Sequence, residues 1–179
     1  MSDLAKLSSR TEEGAVRVVV ETPRGSRAKL AYDPELRAFR YSRPLILGLA
    51  YPYDWGFVPS TLAPDGDPLD AMVVHDAATA PGVVIDCVLT GVVAITQKKK
   101  QKHTSGRERN DRLIVAPAHA PRFTDVRALP KRWRDELEQF FATAVLFEDK
   151  GVKVEGWGGP REAARVLAEA ERASAKPKR

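Results

Sequence analysis

The stretch from Val83 to Thr96 limits the possible folds more than any other part of the chain. It is rich in β-branched residues and too long for one ordinary strand, which seldom exceeds about ten residues. Gly91 interrupts it and marks an expected bend or bulge. Val16–Val20, Ala28–Tyr32, Arg37–Tyr41, Ala71–His75, Arg112–Ala116 and Val152–Glu155 are further strand candidates, with Asp33-Pro34 as a turn between the second and third. Short strands punctuated by Gly and Pro predict a barrel or a small closed sheet.

Helices are expected only late in the chain. From Pro130 to about Phe147, Trp133, Leu137, Phe140, Phe141 and Val145 recur at spacings of three and four and form one apolar face. Gly158-Gly159-Pro160 opens a second helix, with Ala164, Leu167 and Ala168 expected inward and Arg161, Glu162, Arg165, Glu169 and Arg172 outward. There is no internal repeat and no linker, so 1–179 reads as a single α+β domain, with 1–14 and 173–179 expected as flexible ends.

With 43% apolar and 30% charged residues the composition is that of a soluble globular chain, and no apolar run is long enough to span a bilayer. The start of the sequence shows no secretory pattern, and a cytoplasmic location is expected by default. The single cysteine, Cys87, has no internal disulfide partner and reads as a small core residue. Net charge is +5, supplied largely by Lys98–Lys102 and by the tail Lys176–Arg179. Neither cluster is interleaved with aromatic residues and no nucleic-acid-binding motif is present, so a solvated loop and a chain terminus are the better readings. His75, His103 and His119 show no metal-ligand spacing.

Chemistry concentrates in Asp65-Gly66-Asp67-Pro68-Leu69-Asp70, where three carboxylates fall within six residues. Carboxylates this close repel one another, and a hard divalent cation such as Mg²⁺ would resolve the repulsion. An acidic surface turn is the competing reading. A calcium-binding EF-hand loop fails, because Leu69 stands where a further acid or amide is needed and Asp70 where glycine is needed.

The run Asp65–Ala71, preceded by Tyr51-Pro52, Trp55-Gly56-Phe57 and Thr61-Leu62, resembles the signature of the family I soluble inorganic pyrophosphatases. The likeness extends in order through Val20-Glu-Thr-Pro23, Lys29, Arg43, Gly91-Val92, Arg112–Pro117, Phe140-Phe141 and Val152–Trp157. It implies a five-stranded OB-like closed β-barrel with flanking helices, two of them C-terminal. It further implies hydrolysis of pyrophosphate with Mg²⁺, for which Mn²⁺ or Zn²⁺ could substitute, in a homo-oligomer. By the same resemblance Asp65 and Asp70 are metal ligands, Asp70 bridging two ions, and Asp67 is the base that takes a proton from water. Glu21 helps hold a substrate-borne metal; Lys29, Arg43 and Arg112 clamp phosphate; Tyr51 and Trp55 support the substrate.

The chain departs from that pattern at several positions. Ala31 stands where the family has an acid, Trp55 in place of a second tyrosine, Arg112 in place of a lysine, and Ala144-Val145 in place of a Tyr-Lys pair. Gln97-Lys98 replaces an Asp-Glu pair, and the next ligand aspartate falls in register on Asn110, so Asp111 is the expected substitute ligand. The basic segment 98–109 is longer than usual and reads as a disordered surface insert. A second reading is therefore a degenerate homologue that binds pyrophosphate or another phosphorylated ligand without turnover. A third is hydrolysis of a different phosphoanhydride.

Overall fold

A computed structural model of the chain describes residues 3–99 and 106–176; Lys100–Lys102, His103 and the end of the basic tail lie outside the described residues. Among the described residues, nine strands and two α-helices make a sheet-dominated α+β fold. The strands are β1 (Val16–Thr22), β2 (Ala28–Asp33), β3 (Ala38–Pro44), β4 (Asp54–Val58), β5 (Leu69–Val73), β6 (Val84–Lys98), β7 (Arg107–Arg109), β8 (Arg112–Pro117) and β9 (Lys153–Gly158). The helices are α1 (Lys131–Thr143) and α2 (Pro160–Ser174).

The long apolar stretch is one continuous 15-residue strand, β6, and it organises the sheet. It pairs antiparallel with β1, β8, β9 and β7 along its length. The path β1-β4-β5-β8-β6 returns to β1, because β1 pairs with both β4 and β6. Gly91 does mark an irregularity, since the register toward β8 shifts between Leu89 and Gly91. A Cβ there would lie 2.1 Å from Val126 Cγ1, so only glycine lets β6 pass this close to the segment before α1.

Side-chain alternation along the strands divides the core into two. Leu69, Ala71 and Val73 of β5, with Leu113 and Val115 of β8, pack under α2 against Ala163, Leu167 and Ala170. Met72 of β5, Val74 just beyond it, Ile114 of β8 and Val93 and Ile95 of β6 pack under α1 against Leu137, Phe140 and Phe141. Because the period is two, Asp70 and Arg112 share the α1 side with Met72 and Ile114. β2 and β3 form a separate two-stranded sheet.

Several elements differ from the expectation. β4 lies inside a segment read only for its chemistry; all five of its residues are buried. β7 and the end of β6 pair as Thr96↔Arg109, Gln97↔Glu108 and Lys98↔Arg107, so the described part of the expected insert is ordered ladder. α1 ends at Thr143, not Phe147, and Phe147 is 81% exposed in the turn that follows. On α2 the inward stripe is Ala163, Leu167 and Ala170 instead of the expected Ala164, Leu167 and Ala168, the residues four before and three after Leu167 sharing its face. Within the expected flexible start, the Tyr32 hydroxyl accepts from Leu4 N at 3.2 Å, and Ser9 and Arg10 both bond Glu171.

Gly56 tests the packing of β1 on β4. A Cβ there would sit 1.9 Å from Val19 O, a backbone atom that cannot swing aside. Overpacking of this kind costs about 1–3 kcal/mol or more, and roughly 2–4 °C of Tm accompanies each kcal/mol in a chain this size. Gly56→Ala should lower the melting temperature by about 2–12 °C on that scale; an unchanged melt would contradict the close approach.

Candidate active site

The acidic loop is folded by its own backbone. Gly66 adopts φ +88°, a left-handed conformation that costs glycine nothing. Ala63 N donates to Asp67 O at 2.8 Å and Gly66 N to Ala63 O at 3.0 Å. Thr61 Oγ1 accepts from Leu69 N at 2.9 Å and so fixes where β5 begins. The loop delivers Asp65, Asp67 and Asp70 to one cavity mouth.

Lys29, Arg43, Arg112 and Lys150 line the same cavity. Lys29 and Arg43 are direct partners across the β2–β3 ladder, which places their side chains on one face of the hairpin. Arg43 also meets Glu148 at 3.5 Å, from the turn after α1. Tyr51, Trp55, Phe140 and Phe141 form the floor. Tyr51 stands edge-on to Phe140 at 5.1 Å, and Trp55 and Phe141 are tilted together at 6.1 Å. Burial pushes the Tyr51 phenol well above its ordinary range, so it stays neutral.

Arg112 is the most constrained cation. Its side chain is 9% exposed and pairs through Nη1 with Asp70 Oδ2. The guanidinium carbon lies 4.9 Å from the Trp55 ring and 5.7 Å from that of Phe141. Backbone register sets this up: β5 and β8 run parallel with Ala71 opposite Leu113, so Asp70 and Arg112 come side by side one residue earlier.

Two carboxyls are held above their ordinary range. Burial raises Asp70, Arg112 and Lys29 oppose the rise, and Asp65 and Asp67 add to it. Burial raises Glu21 to about 7, against a hydrogen bond donated by Tyr32 N, and the charges of Asp70 and Asp67 push the same way. Glu21 sits in an adjoining hollow that shares Lys29, Asp67 and Asp70 with the main cavity. An all-oxygen carboxylate set under mutual repulsion fits a hard divalent cation in kind. Among the described residues no three acidic, His or Cys side chains converge at ligand distance, and Arg112 occupies Asp70 instead.

The structure thus brings together Asp65, Asp67, Asp70, Lys29, Arg43, Tyr51, Trp55 and Arg112, with Glu21 adjacent. It does not bring Asp111. Asp111 lines a separate groove on the α2 side, where it pairs with Arg109 and accepts from Ile95 N at 3.2 Å. Asn110, the residue at the family's ligand register, lines the cavity in its stead. Ala144 and Val145 line it too, without polar groups, and Lys150 supplies a cation to that wall. Sequence reasoning missed Lys150; its signal was a lysine five residues past Val145, beyond the end of the helix.

Comparison with known proteins gives a single answer. A family model described as inorganic pyrophosphatase matches residues 18–175. The inorganic pyrophosphatase of Methanosarcina mazei is 37% identical over 164 residues, covering 90% of this chain and 92% of that one. That of Synechocystis is 35% identical over 158 residues, covering 87% and 89%. The crystal structure of inorganic pyrophosphatase from Thermus thermophilus superposes with a TM-score of 0.87 at 31% identity, covering 98% of this chain and 100% of that one.

The raised Glu21 gives a pH test on metal-free protein. An acid whose pKa is raised by folding is favourable to the fold only while protonated, so its contribution is lost as pH rises from about 4.5 toward 7. In EDTA, Glu21→Gln should melt like wild type near pH 5 and above it at pH 8, by on the order of 1–3 kcal/mol. Equal melting at both pH values would contradict the buried, repelled carboxyl.

Proposed function

This chain belongs to the inorganic pyrophosphatase family, and on that premise we propose that it hydrolyses inorganic pyrophosphate to two phosphates with a divalent cation, Mg²⁺ first and Mn²⁺ or Zn²⁺ as substitutes. Its class is that of a hydrolase, an inorganic diphosphatase. The observation that carries the reading is one cavity lined together by three aspartates, four cations and four aromatic rings. The ring of pairings from β1 back to β1 is read as the five-stranded OB-like barrel of the family. A homo-oligomer and a cytoplasmic home rest on the resemblance alone.

Asp65, Asp70 and Glu21 would hold the cation, with Asp67 beside them. Bound there, it would supply Lewis acidity, lowering the pKa of a water and screening phosphoryl charge. Asp67 accepts the proton of the attacking water as its oxygen bonds to phosphorus and the bridging P–O bond breaks. Lys29, Arg43 and Lys150 orient the anion from the hairpin and from the wall after α1. Arg112 stabilises charge on the departing phosphate. The aromatic floor of Tyr51, Trp55, Phe140 and Phe141 excludes water beneath these charges, which strengthens them.

Retention of Asp67 in the cavity favours turnover over mere binding, since a pure binder has no use for a base. Phosphate release from pyrophosphate with Mg²⁺ is the test. Asp67→Asn should lower kcat by about 10²–10⁴ with little change in KM. Lys150→Ala should instead raise KM by roughly tenfold, with a smaller effect on kcat. A wild-type chain inert with Mg²⁺, Mn²⁺ and Zn²⁺ alike would overturn the reading.

A further inference from the structure

Among the described residues, two buried donors have no hydrogen-bond partner: Arg112 Nε and Trp55 Nε1. Both belong to residues that line the cavity. Arg112 meanwhile spends its Nη1 on Asp70, the carboxylate that the proposed function gives to the cation. A buried donor without an acceptor costs free energy, so the arrangement is a resting one that a better set of partners would displace.

The surroundings of Arg112 permit such a displacement. Trp55 and Phe141 meet at 60° with centroids 6.1 Å apart, so their faces form a notch, and the guanidinium carbon sits over both. A flat guanidinium can slide across aromatic faces without losing its attraction to them, whereas an ammonium has no plane to stack.

We infer that Arg112 is a two-position clamp: it rests on Asp70 while the cavity holds no cation, and moves to a phosphoryl oxygen when a cation takes Asp70. Trp55 and Phe141 are positioning residues that act through Arg112, keeping its plane in the notch in both positions. Cation and anion binding are thereby coupled through one side chain. The inference rests on the proposed use of this cavity for a phosphate anion.

The test is calorimetric titration of inorganic phosphate into the full chain in EDTA. Asp70→Asn removes the resting partner and should tighten phosphate binding by about tenfold or more, as one charge-assisted contact is regained. Removing any nearby negative charge would also help an anion, so the same substitution is made in an Arg112→Met background. There the gain should largely vanish; an equal gain in both backgrounds overturns the inference. If Arg112→Met fails to fold by its melt, Arg112→Gln, which also lacks the charge, takes its place, and the same reduced gain is expected.

A second readout needs no phosphate. Mg²⁺ added to wild type should change tryptophan emission as the cation over Trp55 shifts, and Trp55→Phe should abolish the change. No emission change in wild type, or one that survives in Trp55→Phe, counts against it. Pyrophosphate turnover is scored separately. An inert protein that still shows the coupling sinks only the functional reading, and an active one without it sinks only this inference.

Discussion

Carboxylates that leave water need positive charge, and in this cavity Arg112 supplies it to Asp70. The two residues stand at the head of the parallel β5–β8 pairing, one step before Ala71 and Leu113. Sheet register, core alternation and site charge are therefore one constraint. A slip of one residue would send Asp70 and Arg112 into the α2 core and bring Leu69 and Leu113 into the cavity. The apolar side chains packed under both helices hold the register and so hold the site.

Four cations line the cavity beside Asp65, Asp67 and Asp70, yet burial still holds acid there above its ordinary range. Asp70 stays above the ordinary range although Arg112 and Lys29 both pull it down, because burial outweighs them. Glu21 is raised as well, with Asp70 and Asp67 contributing. A site left in this condition is poised for a further positive charge, and pyrophosphate brings the opposite need. Under the proposed function a divalent cation and a multivalent anion would answer each other in this cavity, beside the rings of Tyr51, Trp55, Phe140 and Phe141.

Much of this was legible in the residues. Three aspartates flanking Gly66 and Pro68 announce a turn built around charge, and the joint pattern with Lys29 and Arg43 names the chemistry. β6 was legible as an overlong strand with an irregularity at Gly91. What escaped was geometry that only pairing supplies. β4 hid within a run of aromatic and turn residues, and β7 within a basic segment whose composition suggests a loop. Asp111 looked like the better ligand because it is an acid beside an amide. The short link between β7 and β8 decides otherwise: Asn110 and Arg112 line the cavity, and Asp111 lines a separate groove. Lys150 reaches the cavity through the turn after α1, which no periodicity encodes.

The central claim is that the Asp65–Asp70 loop, and not Asp111, forms the cation site. Calorimetric titration of Mg²⁺ into metal-free wild type, Asp65→Asn, Asp70→Asn and Asp111→Asn tests it directly. The account predicts that both loop variants weaken binding by at least about tenfold, as expected for loss of a charged ligand, while Asp111→Asn binds like wild type. Binding that survives in Asp70→Asn and fails in Asp111→Asn would contradict it.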